Sequence, residues 1–569
     1  MEKRWVRAGK GDKEATELLA QQLNIDISLA ELLVQRGIDT FDKSRDFFRP
    51  QLTHLHDPFL MKDMKLAIDR IDQALDSGEK ILVYGDYDVD GTTAVALVFG
   101  FFNRIRPDTA YYIPDRHKEG YGISTTGINY AKENGFGLII ALDCGIKSAD
   151  KVAYARSIGI DFIICDHHLP GQELPDAVAV LDPKRPDCPY PFKELPGCGI
   201  GYKLVQAYSR RHTLPTNRYE CYLDLVMVSI AADIVPLEGE NRVLAHYGLA
   251  RLNTTPSPGL KALIEVSGRK GPLTLTDVVF VLAPRINAAG RMHHGNEAVK
   301  LLTSTEEQAA REQSYTIDLH NMDRRSWDQE MTAQALALLD DCEILQNRKT
   351  TVVYHESWNK GIIGIVASRL TEKYYRPTVV LTASNGLLTG SARSVTGFDL
   401  YEALCGCEDL LEQFGGHQFA AGLTMRPEHL ELFSEKFERI VATSITDELL
   451  QPELRIDSDL EFNRITPKFQ RILAQMEPFG PKNPAPVFMS SEVFLAGPTQ
   501  VVGAKHLKLL LKQQNSVIFE GIGFGLGEYE RLLQPNVPFT VCYTIEENVW
   551  KEQRRLQLNV KAIKTGRPE

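Results

Sequence analysis

Three aspartates alternate in Asp86-Tyr87-Asp88-Val89-Asp90-Gly91, directly after an apolar run at 81–84 and directly before Thr92-Thr93-Ala94-Val95, which starts a helical pattern. Alternate acids at the end of a buried strand cannot all face inward uncompensated, because an unpaired buried charge is prohibitively expensive. A divalent metal ion is the obvious compensator. Two further apolar runs, at 138–142 and 162–165, end in Asp143-Cys144-Gly145 and Asp166-His167-His168. Asp233 follows an apolar helical stretch in Ala231-Ala232-Asp233-Ile234-Val235-Pro236 and could supply another carboxylate. Carboxylates with one or two imidazoles suit Mn²⁺ or Mg²⁺ better than structural zinc, which favours thiolates. Two such ions about 3.5–4 Å apart, bridged by a carboxylate, clamp the attacking and leaving oxygens of a phosphoester and activate water near neutral pH. Phosphoester hydrolysis is therefore the favoured chemistry. Any one of these aspartates could simply cap a helix, and Asp86 could equally bond the backbone of its turn. Four such motifs at one predicted sheet edge argue for a site.

The elements that must position them are short apolar runs separated by helical stretches, the pattern of buried parallel strands with right-handed crossovers. In such sheets ligands gather outside the carboxyl ends of the strands, so the three strand-end clusters should converge. Ser304-Thr-Glu-Glu307 reads as a capping box, and neither Gly nor Pro occurs from Leu302 to Leu345. A helix over 304–341 would be about 57 Å long at 1.5 Å per residue, a length suited to connecting two lobes. A second α/β lobe resumes with strand runs at 351–354 and 377–381 around a helical stretch at 361–373. From 452 to about 564, short β-like runs at 487–490, 507–511, 539–544 and 556–560 alternate with Pro, Gly and Asn, which predicts a small antiparallel barrel.

Taken in order, Asp86-Tyr-Asp-Val-Asp-Gly, Asp143-Cys-Gly, Asp166-His-His and Ala232-Asp-Ile-Val-Pro resemble the four motifs of the DHH phosphoesterase superfamily, most closely its bacterial single-stranded-DNA-specific exonucleases. The resemblance spans nearly the whole chain. It implies an N-terminal segment (1–45), a parallel-sheet DHH phosphoesterase domain (46–303), a connecting helix (304–345), a smaller α/β DHHA1 domain (346–451) and a C-terminal OB-like β-barrel that binds nucleic acid (452–569). It further implies that Asp88 ligates one metal, that Asp90, His167 and Asp233 ligate the other, that Asp143 bridges them, and that Asp86 belongs to the metal-binding group. His168 would stand beside the scissile phosphate as an electrostatic or proton-transfer partner. Related phosphatases carry a further His two residues before the first acid; Tyr84 occupies that position here. The implied activity is 5′→3′ hydrolysis of single-stranded DNA to 5′-mononucleotides in recombination and repair, with two Mn²⁺ or Mg²⁺ ions.

Other segments could hold the strand. Arg116 and Lys118 sit in a Gly-bounded loop with Gly120-Tyr121-Gly122, Arg285 and Arg291 flank Asn287 and small residues, and Gly390-Ser391-Ala392-Arg393 and Gly415-Gly416-His417 belong to the second lobe. Gly lets backbone N–H groups approach an anion, and Arg makes bidentate phosphate contacts. By resemblance, Arg116, Arg285, Ser391, Arg393 and His417 are substrate-phosphate contacts, with Tyr121, Asn287 and Arg291 as further substrate-binding candidates. Either Arg285 or Arg291 could fill the pocket for a terminal 5′ phosphate. His293 and His294 invite a metal reading, but no carboxylate pair adjoins them, and they read as loop residues beside the cleft. Gly521-Ile-Gly-Phe-Gly525 lacks the βαβ context of a dinucleotide site and reads as barrel turn chemistry. No Gly-x-x-x-x-Gly-Lys-Ser/Thr loop occurs, which argues against an ATP motor of that type.

The chain of 569 residues is acidic, with a formal net charge of -11, an unpromising balance for a nucleic-acid partner. The charge is uneven. Residues 452–569 carry 15 Lys/Arg against 13 Asp/Glu, net +2, which leaves -13 for residues 1–451. Lys505, Lys508, Lys512, Lys551, Arg554 and Arg555 are the candidates for a basic DNA-binding path on the barrel. Nine cysteines at irregular spacing form neither a disulfide framework nor a metal clip. Without an eighteen-residue apolar run or a signal-peptide pattern, the expectation is a cytoplasmic protein with no membrane partner. The expected partner is single-stranded DNA with a 5′ end, met as a monomer, and a helicase and a single-strand-binding protein are candidate protein partners. The rival readings are a DHH/DHHA1 phosphodiesterase for oligoribonucleotides or cyclic dinucleotides and a non-catalytic DNA-binding scaffold. Complete carboxylate and histidine motifs weigh against the scaffold, and the additional barrel weighs against the short-substrate enzyme.

Overall fold

The computed structural model of the chain describes residues 3–116, 118–340, 347–514, 516–550 and 553–565, without the side chains of 548–550, 553 and 554. Strand β1 (Arg4–Arg7) is followed by helices Lys13–Leu23, Ile27–Gln35 and Phe41–Phe48. Asp12, Asp26 and Thr40 cap these helices, each side chain accepting a first-turn amide.

The first sheet contains β2 (Lys80–Gly85), β3 (Ala110–Tyr112), β4 (Phe136–Leu142), β5 (Asp161–Cys165) and β6 (Ala179–Leu181). Its order is β3-β2-β4-β5-β6 and every pair is parallel. Strands β2, β4 and β5 are buried almost throughout, which is why each reads as an unbroken apolar run. The chain steps from β2 out to β3 and returns to β4 on the other side of β2. The strand order therefore reverses between β2 and β4, and Asp86 and Asp143 leave the carboxyl ends of those two strands. Helix Val89–Phe102 follows at once and is buried on nearly every face, so it is apolar all round. Its close approach to the end of β2 requires Gly91, where a Cβ would stand 2.5 Å from the Asp86 carbonyl oxygen.

The connecting helix runs over Glu307–Asp340, 34 residues and about 51 Å. It starts later than the expected capping box because the Ser304 hydroxyl donates to the Glu306 carbonyl instead of capping a first turn. One stripe of this helix is buried, from Ala310, Ser314, Ile317 and Asn321 to Met331, Ala335 and Leu339. The last three join a core with Val353, Ile363 and Val380 of the second sheet region. Buried Asp328, on the same stripe, receives both Nε and Nη2 of Arg369 at 2.7 and 2.6 Å.

The second sheet, β7 (Thr351–Tyr354), β8 (Thr378–Ser384), β9 (Leu387–Arg393), β10 (Gln413–His417) and β11 (Ala420–Met425), has the order β10-β11-β9-β8-β7. Only β7 and β8 are parallel.

Strand β12 (Glu453–Ile456) pairs in parallel with β1. After β13 (Ser458–Asp459) come β14 (Phe488–Leu495), β15 (Gln500–Val502), β16 (His506–Gln513), β17 (Phe519–Gly523), β18 (Phe539–Trp550) and β19 (Gln553–Thr565). The pairings β14–β18–β19–β17–β16–β14 close a five-stranded barrel. The expected barrel is present, but it is not purely antiparallel, since β17 and β19 run parallel. Gly521 and Gly523 lie within β17, and Gly525 takes a left-handed φ of 76° just beyond it.

The chain forms two compact units: residues 56–235 with 247–452, and residues 1–55 with 236–246 and 453–569. In the latter, Leu29, Leu32 and Leu33 from the N-terminal helices share a core with Phe462, Phe488 and Tyr543 of the barrel region. No helix among the described residues is long and apolar enough to cross a membrane, and every cysteine among them is a free thiol.

Candidate metal centre

Asp86, Asp88 and Asp90 occupy the turn and helix start after β2. Asp88 is the N-cap, and its Oδ1 accepts the Gly91 amide at 3.0 Å. Asp90 lies on the first turn and is 2% exposed. Its Oδ2 accepts the Gly197 amide at 2.6 Å, and its Oδ1 accepts the Cys198 amide at 2.8 Å and the Ser229 hydroxyl at 2.7 Å. Those amides open the helix Gly197–Arg211, whose positive end faces the carboxylate. Gly197 is needed there, because a Cβ would meet the Asp143 Cβ at 2.6 Å.

Asp143 holds a left-handed φ of 58° immediately after β4, and its amide donates to the Cys165 carbonyl at 2.9 Å. Strained backbone of this kind persists where the surroundings over-determine it. His167 Nε2 stands 3.2 Å from Asp143 Oδ1 and 3.7 Å from both Asp90 Oδ2 and Asp233 Oδ2. Ligand atoms of Asp90, His167 and Asp233, and separately of Asp143, His167 and His168, lie within 4.8 Å of one another. Asp86 Oδ2, Asp143 Oδ1 and His167 Nδ1 are buried without a hydrogen bond among the described residues.

Burial and the neighbouring carboxylates raise the pKa values of Asp86, Asp88 and Asp143, and push Asp233 up to about 8. Burial lowers His167 to about 4, so its ring is a neutral donor of a lone pair. Four carboxylates that resist ionising together, orphaned ligand atoms and a neutral imidazole fit a divalent cation site.

Asp166 has a different part. It accepts the amides of Ile146, His167 and His168 and the His168 Nδ1 at 2.7 Å. Burial opposes its charge, yet these donors, His168 foremost, hold it at about 2. His168 is desolvated too, but the Asp166 hydrogen bond raises it to about 9. Its Nε2 meets the Tyr121 hydroxyl at 3.2 Å, and that hydroxyl also reaches the Asp143 carbonyl at 3.1 Å.

Tyr87, between the first two acids, also lines a cavity of about 400 Å³ with Arg116, Arg291, Lys360, Ser391 and Arg393. The Arg116 guanidinium lies 4.9 Å from the Tyr87 ring centroid, and Arg393 Nη1 donates to Ser391 Oγ at 3.0 Å. Burial, then Arg116 and Arg393, push Arg291 down to about 9, and burial with Arg116 also lowers Arg393. Three guanidiniums crowded in one cavity have the charge and the donors that an anion would satisfy.

Three family models match the chain: the DHH family N-terminal domain over residues 80–230, the DHHA1 domain over 347–443 and the RecJ OB domain over 456–562. Among curated proteins, the single-stranded-DNA-specific exonuclease RecJ of Bacillus subtilis (strain 168) is 37% identical over 554 residues, covering 97% of this chain and 69% of that protein. The protein of the same name from Escherichia coli (strain K12) is 33% identical over 530 residues, 88% of this chain and 90% of that one. The chain belongs to the RecJ family of DHH phosphoesterases. The crystal structure of RecJ from Thermus thermophilus in complex with Mn²⁺ matches with a TM-score of 0.85 at 27% identity, covering 99% of this chain and 80% of that one.

Within this RecJ-family fold, Asp86, Asp88, Asp90, Asp143, His167, His168 and Asp233 come together. Tyr84, where related phosphatases carry a His, is instead buried core: its hydroxyl donates to the Gly122 carbonyl at 2.9 Å and accepts the Ser124 amide at 3.1 Å. Tyr121 stands beside His168 rather than in the arginine cavity. Arg285 does not line that cavity; its Nε binds Asp318 at 2.8 Å and its Nη1 the Val281 carbonyl at 2.7 Å. Asn287 is half-buried on the same helix as Arg285 and Arg291. His417, on β10, has its pKa lowered by partial desolvation of its ring and by the charges of Arg393 and His168. On the barrel, Lys508 and Arg555 line a groove of about 680 Å³ with exposed Phe524. Lys512 is exposed further along β16 and Lys505 in the turn before it. Lys551 and the side chain of Arg554 lie outside the described residues.

The donors to Asp90 were missed by sequence reasoning. Ser229 stands four residues before Asp233 on one helix face, and Pro196-Gly-Cys-Gly opens a helix with bare amides. Both are signals that could have found them.

Proposed function

We propose that this chain is a divalent-metal-dependent exonuclease that degrades single-stranded DNA 5′→3′ to 5′-mononucleotides in recombination and repair. The observation that carries this is the adjacency, through Tyr87, of a buried carboxylate–imidazole cluster with orphaned ligand atoms to a cavity holding three guanidiniums. Asp88, Asp90, Asp143, His167 and Asp233 would hold Mn²⁺ or Mg²⁺, with Asp86 behind them. When bound, the ions supply Lewis acidity for water attack on a phosphodiester. The chain's own groups do the rest. Ser229 and the Gly197 and Cys198 amides fix Asp90, and Asp166 fixes His168 so that its protonated ring faces the scissile phosphate. Arg116, Arg291, Arg393 and Ser391 take the terminal 5′ phosphate, whose second negative charge suits three guanidiniums better than an internal diester does. Arg285, tied to Asp318, is the weaker candidate for that role.

A passage too narrow for a duplex would select single strands, and Lys508, Arg555 and Phe524 of the barrel would hold the trailing strand by charge and stacking. A monomeric, cytoplasmic enzyme supplied with strand by a helicase and a single-strand-binding protein completes the reading. Digestion of 5′- and 3′-labelled single-stranded DNA, single-stranded RNA and blunt duplex, with Mn²⁺ and with EDTA, tests it. Release of labelled mononucleotide from the 5′ end of DNA alone, abolished by EDTA, is expected. Equal cleavage of short RNA would favour the oligoribonucleotide enzyme, and duplex resection at the single-strand rate would contradict the strand selection.

A further inference from the structure

A second cluster of metal-ligating side chains lies outside the centre described above. His293 caps the C-terminus of helix Ala283–Met292, Glu297 lies in helix Asn296–Leu302, and His320 lies midway along the connecting helix. One ligand atom from each stands within 4.8 Å of the others. His320 Nε2 is 2.9 Å from Glu297 Oε2, and the His293 ring lies over His320 with centroids 3.8 Å apart and planes at 34°. The carboxylate that the sequence does not show beside His293 is thus delivered by the next helix, and a second imidazole by the one after.

A His–Glu hydrogen bond by itself would account for Glu297 and His320. It does not account for His293, whose ring makes no hydrogen bond among the described residues and yet stacks against the pair. Both ring nitrogens of His293 are thus unused by the described residues, and an ion held together with the Glu297 carboxylate and the His320 ring would give them a role. We propose that His293, Glu297 and His320 form a separate divalent transition-metal site with Zn²⁺ as its occupant. Two imidazole nitrogens and one carboxylate with an open fourth position are a ligand set zinc accepts, and imidazole disfavours Mg²⁺. Tetrahedral bonds of about 2.0–2.1 Å place ligand atoms roughly 3.4 Å apart. From 2.9 Å the His320–Glu297 pair would open slightly to admit the ion, and exposed His293 would close on it from within 4.8 Å.

The site would act as a clamp. Gly295, inside the loop, approaches Tyr87 so closely that a Cβ would stand 3.3 Å from the Tyr87 Cα, and Arg291, two residues before His293, lines the arginine cavity. An ion at this site ties that segment to the connecting helix. It shares no ligand with the catalytic cluster, so the two can be separated by mutation.

The test uses full-length protein stripped with chelator, saturated with Mg²⁺ and titrated with Zn²⁺ by calorimetry. Bound zinc is counted by mass spectrometry after desalting, and Co²⁺ serves as a spectroscopic reporter of tetrahedral histidine ligation. Wild type is expected to bind one zinc equivalent more than His293→Ala/His320→Ala, and Asp143→Ala is expected to keep that equivalent. His293→Ala alone, at an exposed position, should weaken it at least about tenfold, and this variant decides the matter should His320→Ala impair folding. Equal zinc affinity and stoichiometry in wild type and His293→Ala would overturn the proposal, as would loss of the equivalent in Asp143→Ala with retention in His293→Ala.

Discussion

Ser229→Ala is the sharpest single perturbation of the proposed metal centre, because it removes a support and leaves every proposed ligand in place. Ser229 is fully buried and donates at 2.7 Å to Asp90 Oδ1, whose other donor among the described residues is the Cys198 amide. The Gly197 amide on Oδ2 is untouched. Alanine keeps the Cβ and opens space for little more than a hydroxyl, so the main effect is the loss of one hydrogen bond to a buried carboxylate. Hydrogen bonds to charged groups contribute about 1.5–3 kcal/mol, or about 10- to 150-fold in an equilibrium constant. A weakening of Mn²⁺ binding in that range is predicted, matching what loss of an outer support does to metal sites generally. Calorimetric Mn²⁺ titration of chelator-stripped protein measures it, and nuclease activity at saturating Mn²⁺ should recover most of the wild-type rate. A Mn²⁺ affinity within twofold of wild type would refute the view that Asp90 is held as a ligand by this network.

Three other outcomes follow from the same structure. Asp143→Ala removes the strand-end carboxylate nearest His167 and should abolish cleavage while single-stranded DNA binding, followed by fluorescence anisotropy, persists; retained cleavage would defeat the bridging role. Arg393→Ala should cut the preference for 5′-phosphorylated over 5′-hydroxyl DNA by at least about tenfold, the scale of one charge-assisted contact, in parallel initial-rate assays. An unchanged ratio would move the phosphate pocket elsewhere. Lys508→Ala/Arg555→Ala should lower affinity for long strands and reduce the slope of log K against log salt by about 1.4, since each single-strand phosphate contact contributes about 0.7; a wild-type slope would remove the barrel groove from the DNA path.

Strands β2, β4 and β5 were legible because burial on both faces leaves each as an unbroken apolar run, and the acids closing those runs could only be strand-end residues. The long helix was legible from the absence of Gly and Pro. Three things were not. Helices Lys13–Leu23 and Ile27–Gln35 show an apolar face, but nothing local says that its partner is a barrel more than 400 residues away, where Leu33 meets the core of Phe462 and Tyr543. The motif Asp166-His-His leaves its acid without an assigned role, whereas the turn folds the backbone amides of His167 and His168 onto it. Arg285 and Arg291 lie on one helix, but six residues turn them through roughly 240° at 100° per residue, so one meets Asp318 and the other the cavity.

If the aspartate–histidine cluster beyond β2, β4 and β5 holds the divalent ions of a nuclease, manganese must be found in it. Anomalous diffraction at the manganese edge, from crystals of the full chain grown with Mn²⁺, tests it most directly. Peaks bounded by Asp88, Asp90, Asp143, His167 and Asp233 are expected. An ordered cluster with no peak there, at Mn²⁺ concentrations that support cleavage, would contradict that assignment.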